Sequence, residues 1–212
     1  MDYLGIVVLV AAVAAAFVVI ARSRALQGRR ARAEHDSQLA LAKRAAETDV
    51  LGMTEALTRV GALTDDDPLA RDDYQRAVDA RARALRCLHE ANEPDDLCLV
   101  TESLEEGRWT VARLDARAAG QPMPSRRPPC FFNPGHGPSS RNIRWRARSV
   151  PSCAADAIRV ESGADPYIRT VERDDRRVPY WEGGPTYAGW MRGYYSSWRG
   201  STLVADILTS RA

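Results

Sequence analysis

An unbroken run of uncharged residues from Tyr3 to Ala21 constrains this chain more than any other feature. Arg22, Arg24, Arg29, Arg30 and Arg32 follow it directly, with no acidic residue before Glu34. At about 1.5 Å of rise per residue, a helix of that run would reach about 28 Å, close to the hydrocarbon thickness of a bilayer. A cleaved secretory signal is the competing reading. The only charged side chain ahead of the run is Asp2, and a cleavage site at Ala14-Ala15-Ala16 would leave a core of about ten apolar residues. Guanidinium groups are costly to move through lipid and stay on the cytoplasmic side. The expectation is a single-pass transmembrane anchor with a basic flank over residues 1–30. Its N-terminus would be outside the cell membrane and the bulk of the chain cytoplasmic. The arginine flank sets topology and attracts anionic headgroups generically, so the lipid bilayer is the first expected partner.

The remaining chain allows one or two modest domains. A net charge of +2 over 212 residues is too small to mark the whole chain as a nucleic-acid binder. Cys87, Cys98, Cys130 and Cys153 are too few and too scattered for a disulfide scaffold. In a cytoplasmic setting they are reduced thiols or metal ligands.

Residues 31–120 read as helical. Ala46, Val50, Met53, Leu57 and Val60 repeat at spacings of four and three, one apolar seam at coiled-coil period. Thr64-Asp65-Asp66-Asp67-Pro68 stops that helix, and Asp67 before Pro68 supplies an N-cap and a first-turn proline for the next. The second helix is expected to reach about Ala91, with Tyr74, Val78, Leu85 and Leu88 on its inner face. After Asn92-Glu93-Pro94, a third helix carries Leu97, Val100, Leu104, Gly107, Val111, Leu114 and Ala118 on one seam. The short joins favour an antiparallel hairpin or three-helix bundle. A coiled coil with another chain is the alternative use of the same seams. Gly107 is either a point of close helix approach or a merely tolerated glycine.

A Pro/Arg linker at 121–129 leads to a module at 130–198 of different composition, followed by a tail at 199–212. Cys130-Phe131-Phe132 runs into the turn Asn133-Pro134-Gly135-His136. Residues 142–147 alternate as a half-buried strand, Ser152 is placed to cap a helix over Cys153–Glu161, and a hairpin is expected through Asp174-Asp175. That order is similar to a treble-clef zinc module, with or without its metal. Cys130, His136 and Cys153 offer the sulfur and nitrogen that zinc prefers, and Asp156 takes the fourth place at Cys-x-x-Cys spacing. The cofactor expectation is one structural zinc or none. The alternative is a metal-free core of buried thiols in which Asp156 steadies the start of the helix. The fold class is thus α+β: anchor, helical bundle, small β-rich module.

Several segments together are distinctive: Val100-Thr101-Glu102-Ser103-Leu104-Glu105-Glu106-Gly107-Arg108, then Cys130-Phe131-Phe132-Asn133-Pro134-Gly135-His136-Gly137-Pro138, then Cys153-Ala154-Ala155-Asp156. Over about Leu69 to Tyr195 the chain resembles a group of actinobacterial, single-pass, membrane-anchored proteins of unassigned function. The resemblance implies an actinobacterial source and a helical region followed by a small domain. It carries over no catalytic residue.

Tyr180, Trp181, Tyr187, Trp190, Tyr194, Tyr195 and Trp198 crowd the end of the module. They would form a surface for a protein partner, lie at a membrane interface, or cover the small module. Only Arg192 and Arg199 accompany them, so no nucleic-acid partner is expected. The functional expectation is a non-enzymatic, membrane-tethered adaptor. The alternative is a small enzyme or a zinc- or redox-responsive module using Cys130, His136 and Cys153.

Overall fold

The computed structural model describes residues 3–61 and 67–198, with side chains at residue 17 and from residue 19 onward. Thr64, Asp65 and Asp66 of the expected helix stop, the tail at 199–212, and most side chains of the Tyr3–Ala21 run lie outside the described residues. The chain divides into two compact units, Met1–Ala40 and Leu41–Ala212. The fold is α+β and mainly helical, with two small antiparallel sheets.

The transmembrane anchor is a correction. Among the described residues, no helix is long and apolar enough to cross a membrane. The reason lies in charge density. Helix α1 (Tyr3–Gly61) has described side chains from Phe17, and within 17–34 these already include Arg22, Arg24, Arg29, Arg30, Arg32 and Glu34. All five arginines are exposed. The single-pass placement at the cell membrane is withdrawn with the anchor.

In the second unit, α1 contributes the expected seam: Ala46, Val50, Met53, Leu57 and Val60 are all buried. Helix α2 (Pro68–Glu90) opens as the residues dictate, with the Asp67 carboxylate accepting the Leu69 N–H at 2.8 Å and Pro68 in the first turn. Its inner face differs from expectation. Ala70, Ala77, Ala80 and Ala84 are buried, whereas Tyr74, Val78 and Leu88 are half-buried at the flank and Leu85 is exposed. Small side chains face inward because the neighbouring helices approach closely. A Cβ on Gly107 of α3 (Leu97–Ala118) would lie 3.2 Å from the Ala80 Cβ and 2.7 Å from the Met53 Cε. Asp73, buried at the same interface, accepts from Arg113 of α3 at 3.1 Å.

The α2–α3 join is held by Asp96, whose Oδ2 accepts the N–H groups of Asn92 and Glu93, each at 2.9 Å. The expected seam of α3 is buried from Leu97 to Leu114, and Ala118 is exposed.

Beyond the linker, β1 (Arg141–Trp145) pairs with β2 (Arg148–Ser152) through a turn whose Arg146 and Ala147 both have positive φ. Helix α4 (Ala154–Glu161) follows at once. Ser152 therefore ends a strand, and Cys153 is the helix cap instead. The second hairpin, β3 (Thr170–Arg173) and β4 (Arg176–Pro179), turns at Asp174-Asp175 as expected, with φ of 50° and 57°.

Of the seven clustered aromatic rings, Tyr180, Tyr187, Trp190, Tyr194 and Tyr195 are buried and Trp181 and Trp198 are half-buried. They join the module to the helices. Helix α5 (Ala188–Tyr194) lies on α3, where the Thr101 hydroxyl donates to the Trp190 carbonyl at 2.7 Å. Below it, Arg108 donates to the Tyr194 hydroxyl at 2.6 Å and to the Asp49 carbonyl at 3.1 Å. The Asp49 carboxylate receives the Trp190 indole N–H at 2.8 Å and Arg169 at 3.1 Å.

Candidate metal centre

Cys130, His136, Cys153 and Asp156 come from two short pieces of chain that local chemistry holds rigid. The first is a knuckle. Asn133 Oδ1 accepts the Gly135 N–H at 2.9 Å, and His136 N–H returns to the Asn133 carbonyl at 3.0 Å. The Cys130 N–H then closes the loop on the Gly137 carbonyl at 3.0 Å. Gly137, at φ 82°, makes the turn that a side chain would strain. The second piece is the start of α4. The Cys153 sulfur takes the N-cap place, accepting the Asp156 N–H at 3.5 Å, and this brings Asp156 in the first turn onto the same side as the cap. The β1–β2 hairpin joins the two pieces. The Phe131 N–H donates to the Pro151 carbonyl at 2.8 Å, which fixes the knuckle beside the end of β2.

All four side chains meet. One ligating atom from each lies within 4.8 Å of every other. Asp156 Oδ2 is 2.9 Å from His136 Nδ1, 3.3 Å from Cys130 Sγ and 3.4 Å from Cys153 Sγ. Cys153 Sγ is 3.6 Å from His136 Nδ1. Zinc–sulfur bonds of about 2.3 Å and zinc–nitrogen or –oxygen bonds of about 2.05 Å give a tetrahedron with edges of roughly 3.4–3.8 Å. The observed separations approach those edges, and the shortest one needs only a small opening.

The outer oxygen of the carboxylate is also fixed. Asp156 Oδ1 accepts the Tyr167 N–H at 2.8 Å, so Oδ2 is the oxygen that faces Cys130, His136 and Cys153. Such outer partners orient a ligand and hold its useful atom in place. Sequence reasoning missed this contact, because a backbone N–H eleven residues away leaves no side-chain signal.

The protonation states are interlocked. The Cys130 thiol is held well above its usual range by its hydrogen bond to Cys153 and by burial. Cys153, receiving that hydrogen bond, is lowered despite burial. Burial opposes the charged form of His136, yet the adjoining Cys130 and Asp156 outweigh it and raise the imidazole. Burial likewise opposes the Asp156 anion, but the Tyr167 N–H and the neighbouring thiol hold its pKa down. A bound cation would hold both sulfurs deprotonated.

Cys130 and Asp156 are fully buried, Cys153 is half-buried, and His136 is exposed. Two clefts lie elsewhere. One of about 650 Å³ is walled by α2 and α3 residues including Arg83, Arg86, Glu102 and Glu106. Another of about 280 Å³ is bordered by Arg44, Arg169 and Arg177. Neither is lined by a member of the cluster. Compared with models of known protein families, with curated proteins and with solved structures, the chain gives no match.

Proposed function

We propose that Cys130, His136, Cys153 and Asp156 hold one structural zinc ion, and that the chain works as a non-enzymatic interaction scaffold. The observation that carries this is the convergence of two sulfurs, one imidazole nitrogen and one carboxylate oxygen within 4.8 Å. The donor set suits zinc: two soft sulfurs and a nitrogen exclude the hard-oxygen cages that calcium and magnesium require. When bound, zinc would cross-link the knuckle to the start of α4 and contribute directly to folding.

A structural ion is favoured over a catalytic one because four protein donors fill a tetrahedron. A catalytic zinc keeps an open position facing substrate. Neither cleft reaches the cluster, so no substrate path leads to it from either. The buried aromatic rings support a scaffold in which the module is seated on the helices.

Metal analysis of the purified full-length chain tests the reading. We expect close to one zinc per chain, lost in Cys153→Ala. Fully folded wild-type protein that remains metal-free after incubation with zinc would overturn it.

A further inference from the structure

We propose that Cys130 and Cys153 form a peroxide-responsive pair, in which oxidation joins the two sulfurs and dismantles the four-donor centre. The inference extends the zinc reading by assigning that same site a regulation.

Two features of the geometry carry it. The sulfurs lie within 4.8 Å of each other and both rest against one oxygen, Asp156 Oδ2, at 3.3 and 3.4 Å. A disulfide has an S–S length of about 2.05 Å, so closure requires a shift of less than about 2.8 Å, within the reach of side-chain rotation. Both sulfurs already lie against one atom, Asp156 Oδ2, so they start out on the same side of the centre. The second feature is an asymmetry of access. Cys153 is half-buried at the helix cap, whereas Cys130 is completely buried behind it. An oxidant from solvent meets Cys153 first, and the only sulfur in the cluster able to resolve the product is Cys130. Cys87 and Cys98, on α2 and α3, are outside this cluster and serve as internal controls.

The oxidant is hydrogen peroxide. Cys153 Sγ attacks one peroxide oxygen, the O–O bond breaks, and the sulfenic acid and one water form. Cys130 Sγ then attacks the sulfenic sulfur, the S–O bond breaks, and a second water leaves as the disulfide closes. Two thiols are oxidised and one peroxide is reduced to two waters; where zinc holds the sulfurs as thiolates, solvent supplies the two protons and the ion leaves as Zn2+. The centre then retains only His136 and Asp156, too few donors for a tetrahedral zinc.

The local aromatic packing makes the event visible. Phe131, next to Cys130, stacks on Trp181 at 4.8 Å, and Phe132 meets Trp145 edge-on at 5.3 Å. Displacement of the knuckle changes the surroundings of both indoles.

The test uses zinc-loaded, full-length protein titrated with hydrogen peroxide. Released zinc is read with a chromogenic chelator, the disulfide by peptide mapping, and the indoles by fluorescence. We expect one Cys130–Cys153 disulfide for each zinc released, a loss of about 2 Da per chain, and recovery on adding dithiothreitol and zinc. In Cys130→Ser, a dimedone adduct should form on Cys153 with no disulfide. Because that variant could lose its fold, the peptide map of the wild-type chain is decisive by itself. Zinc retained without a Cys130–Cys153 bond, or oxidation confined to Cys87 and Cys98, overturns this inference and leaves the zinc reading standing. Protein that binds no zinc but still closes the disulfide sinks the zinc reading and supports the thiol pair.

Discussion

Trp190 of α5 donates its indole N–H to the carboxylate of Asp49 on α1, 2.8 Å away across 141 residues of sequence. Asp49 is 5% exposed and Trp190 fully buried, so neither group has water as a substitute partner. Arg169 satisfies the other carboxylate oxygen at 3.1 Å. Removing one member strands the rest. Asp49→Ala should cost about 3–5 kcal/mol, because it leaves Arg169 without its buried counter-charge. Trp190→Phe keeps most of the ring and should cost about 1–3 kcal/mol for the lost hydrogen bond. Equilibrium denaturation of the full-length variants checks the order. Equal losses would show that ring volume, and not the hydrogen bond to Asp49, dominates.

Helix packing at Gly107 predicts a second ranking. Its added Cβ would press on the end of Met53, which can yield, and on the Ala80 Cβ, which cannot. Gly107→Ala should therefore destabilise by about 1–3 kcal/mol despite alanine's better helix propensity. Shortening Met53 to Ala in the same chain should recover part of that loss, a coupling that a double-mutant cycle measures. Gly193→Ala should be worse, since its Cβ would fall on the Cys98 carbonyl and the Thr101 hydroxyl, where backbone has to give.

The carboxylate ligand allows a gain-of-function test. Asp156 occupies the place of the second cysteine in a Cys-x-x-Cys pair. Asp156→Cys should keep one zinc per chain and resist chelators longer, whereas Asp156→Ala should lose the ion. Stability should also rise with free zinc, by about 2.7 kcal/mol at a hundredfold excess over Kd. Thermal unfolding across a zinc titration provides the measurement, and a flat response would contradict a folding-linked ion.

Glu105 supplies a pH dependence. It is buried against Arg126, and burial raises its pKa above the ordinary glutamate value even though Arg126 pulls the other way. The folded state therefore holds this proton more tightly than the unfolded chain does. This group's contribution is most favourable below the unfolded pKa. It declines as pH rises through the window up to the raised folded value, then stays constant. Glu105→Gln should remove that decline, giving a flatter stability profile from mildly acidic to neutral pH. An unchanged profile in the variant would assign the slope to other groups.

Much of the helical layer is readable in the residues because period and capping act locally. Asp67-Pro68 has to start a helix, and the seams on α1 and α3 lie where their spacing puts them. The face of α2 is harder to read because bulky Tyr74, Val78 and Leu85 look more core-like than alanine. Close approach to Gly107 reverses that preference and moves the buried stripe onto Ala77, Ala80 and Ala84. Strand β2 escapes notice because Pro151 discourages a strand, and Ser152 imitates a cap. The four donors are legible through their chemistry and spacing. The Asp49–Arg169–Trp190 network is not, because its members are scattered and each also reads as an ordinary surface or core residue. The transmembrane expectation rests on an apolar run considered apart from the charged helix that continues it.

Arg169 lies where three parts of the fold meet. Its N–H holds the Phe132 carbonyl, its own carbonyl receives the Tyr180 N–H, and its guanidinium reaches the Ala45 carbonyl and Asp49. A single residue thus stitches the knuckle, the second hairpin and the first helix together. Cutting the gene at the proline-rich linker should yield two sticky halves, one with an orphaned buried acid and the other with bare tyrosines and tryptophans. Only a polypeptide that retains both sides should give a well-behaved preparation.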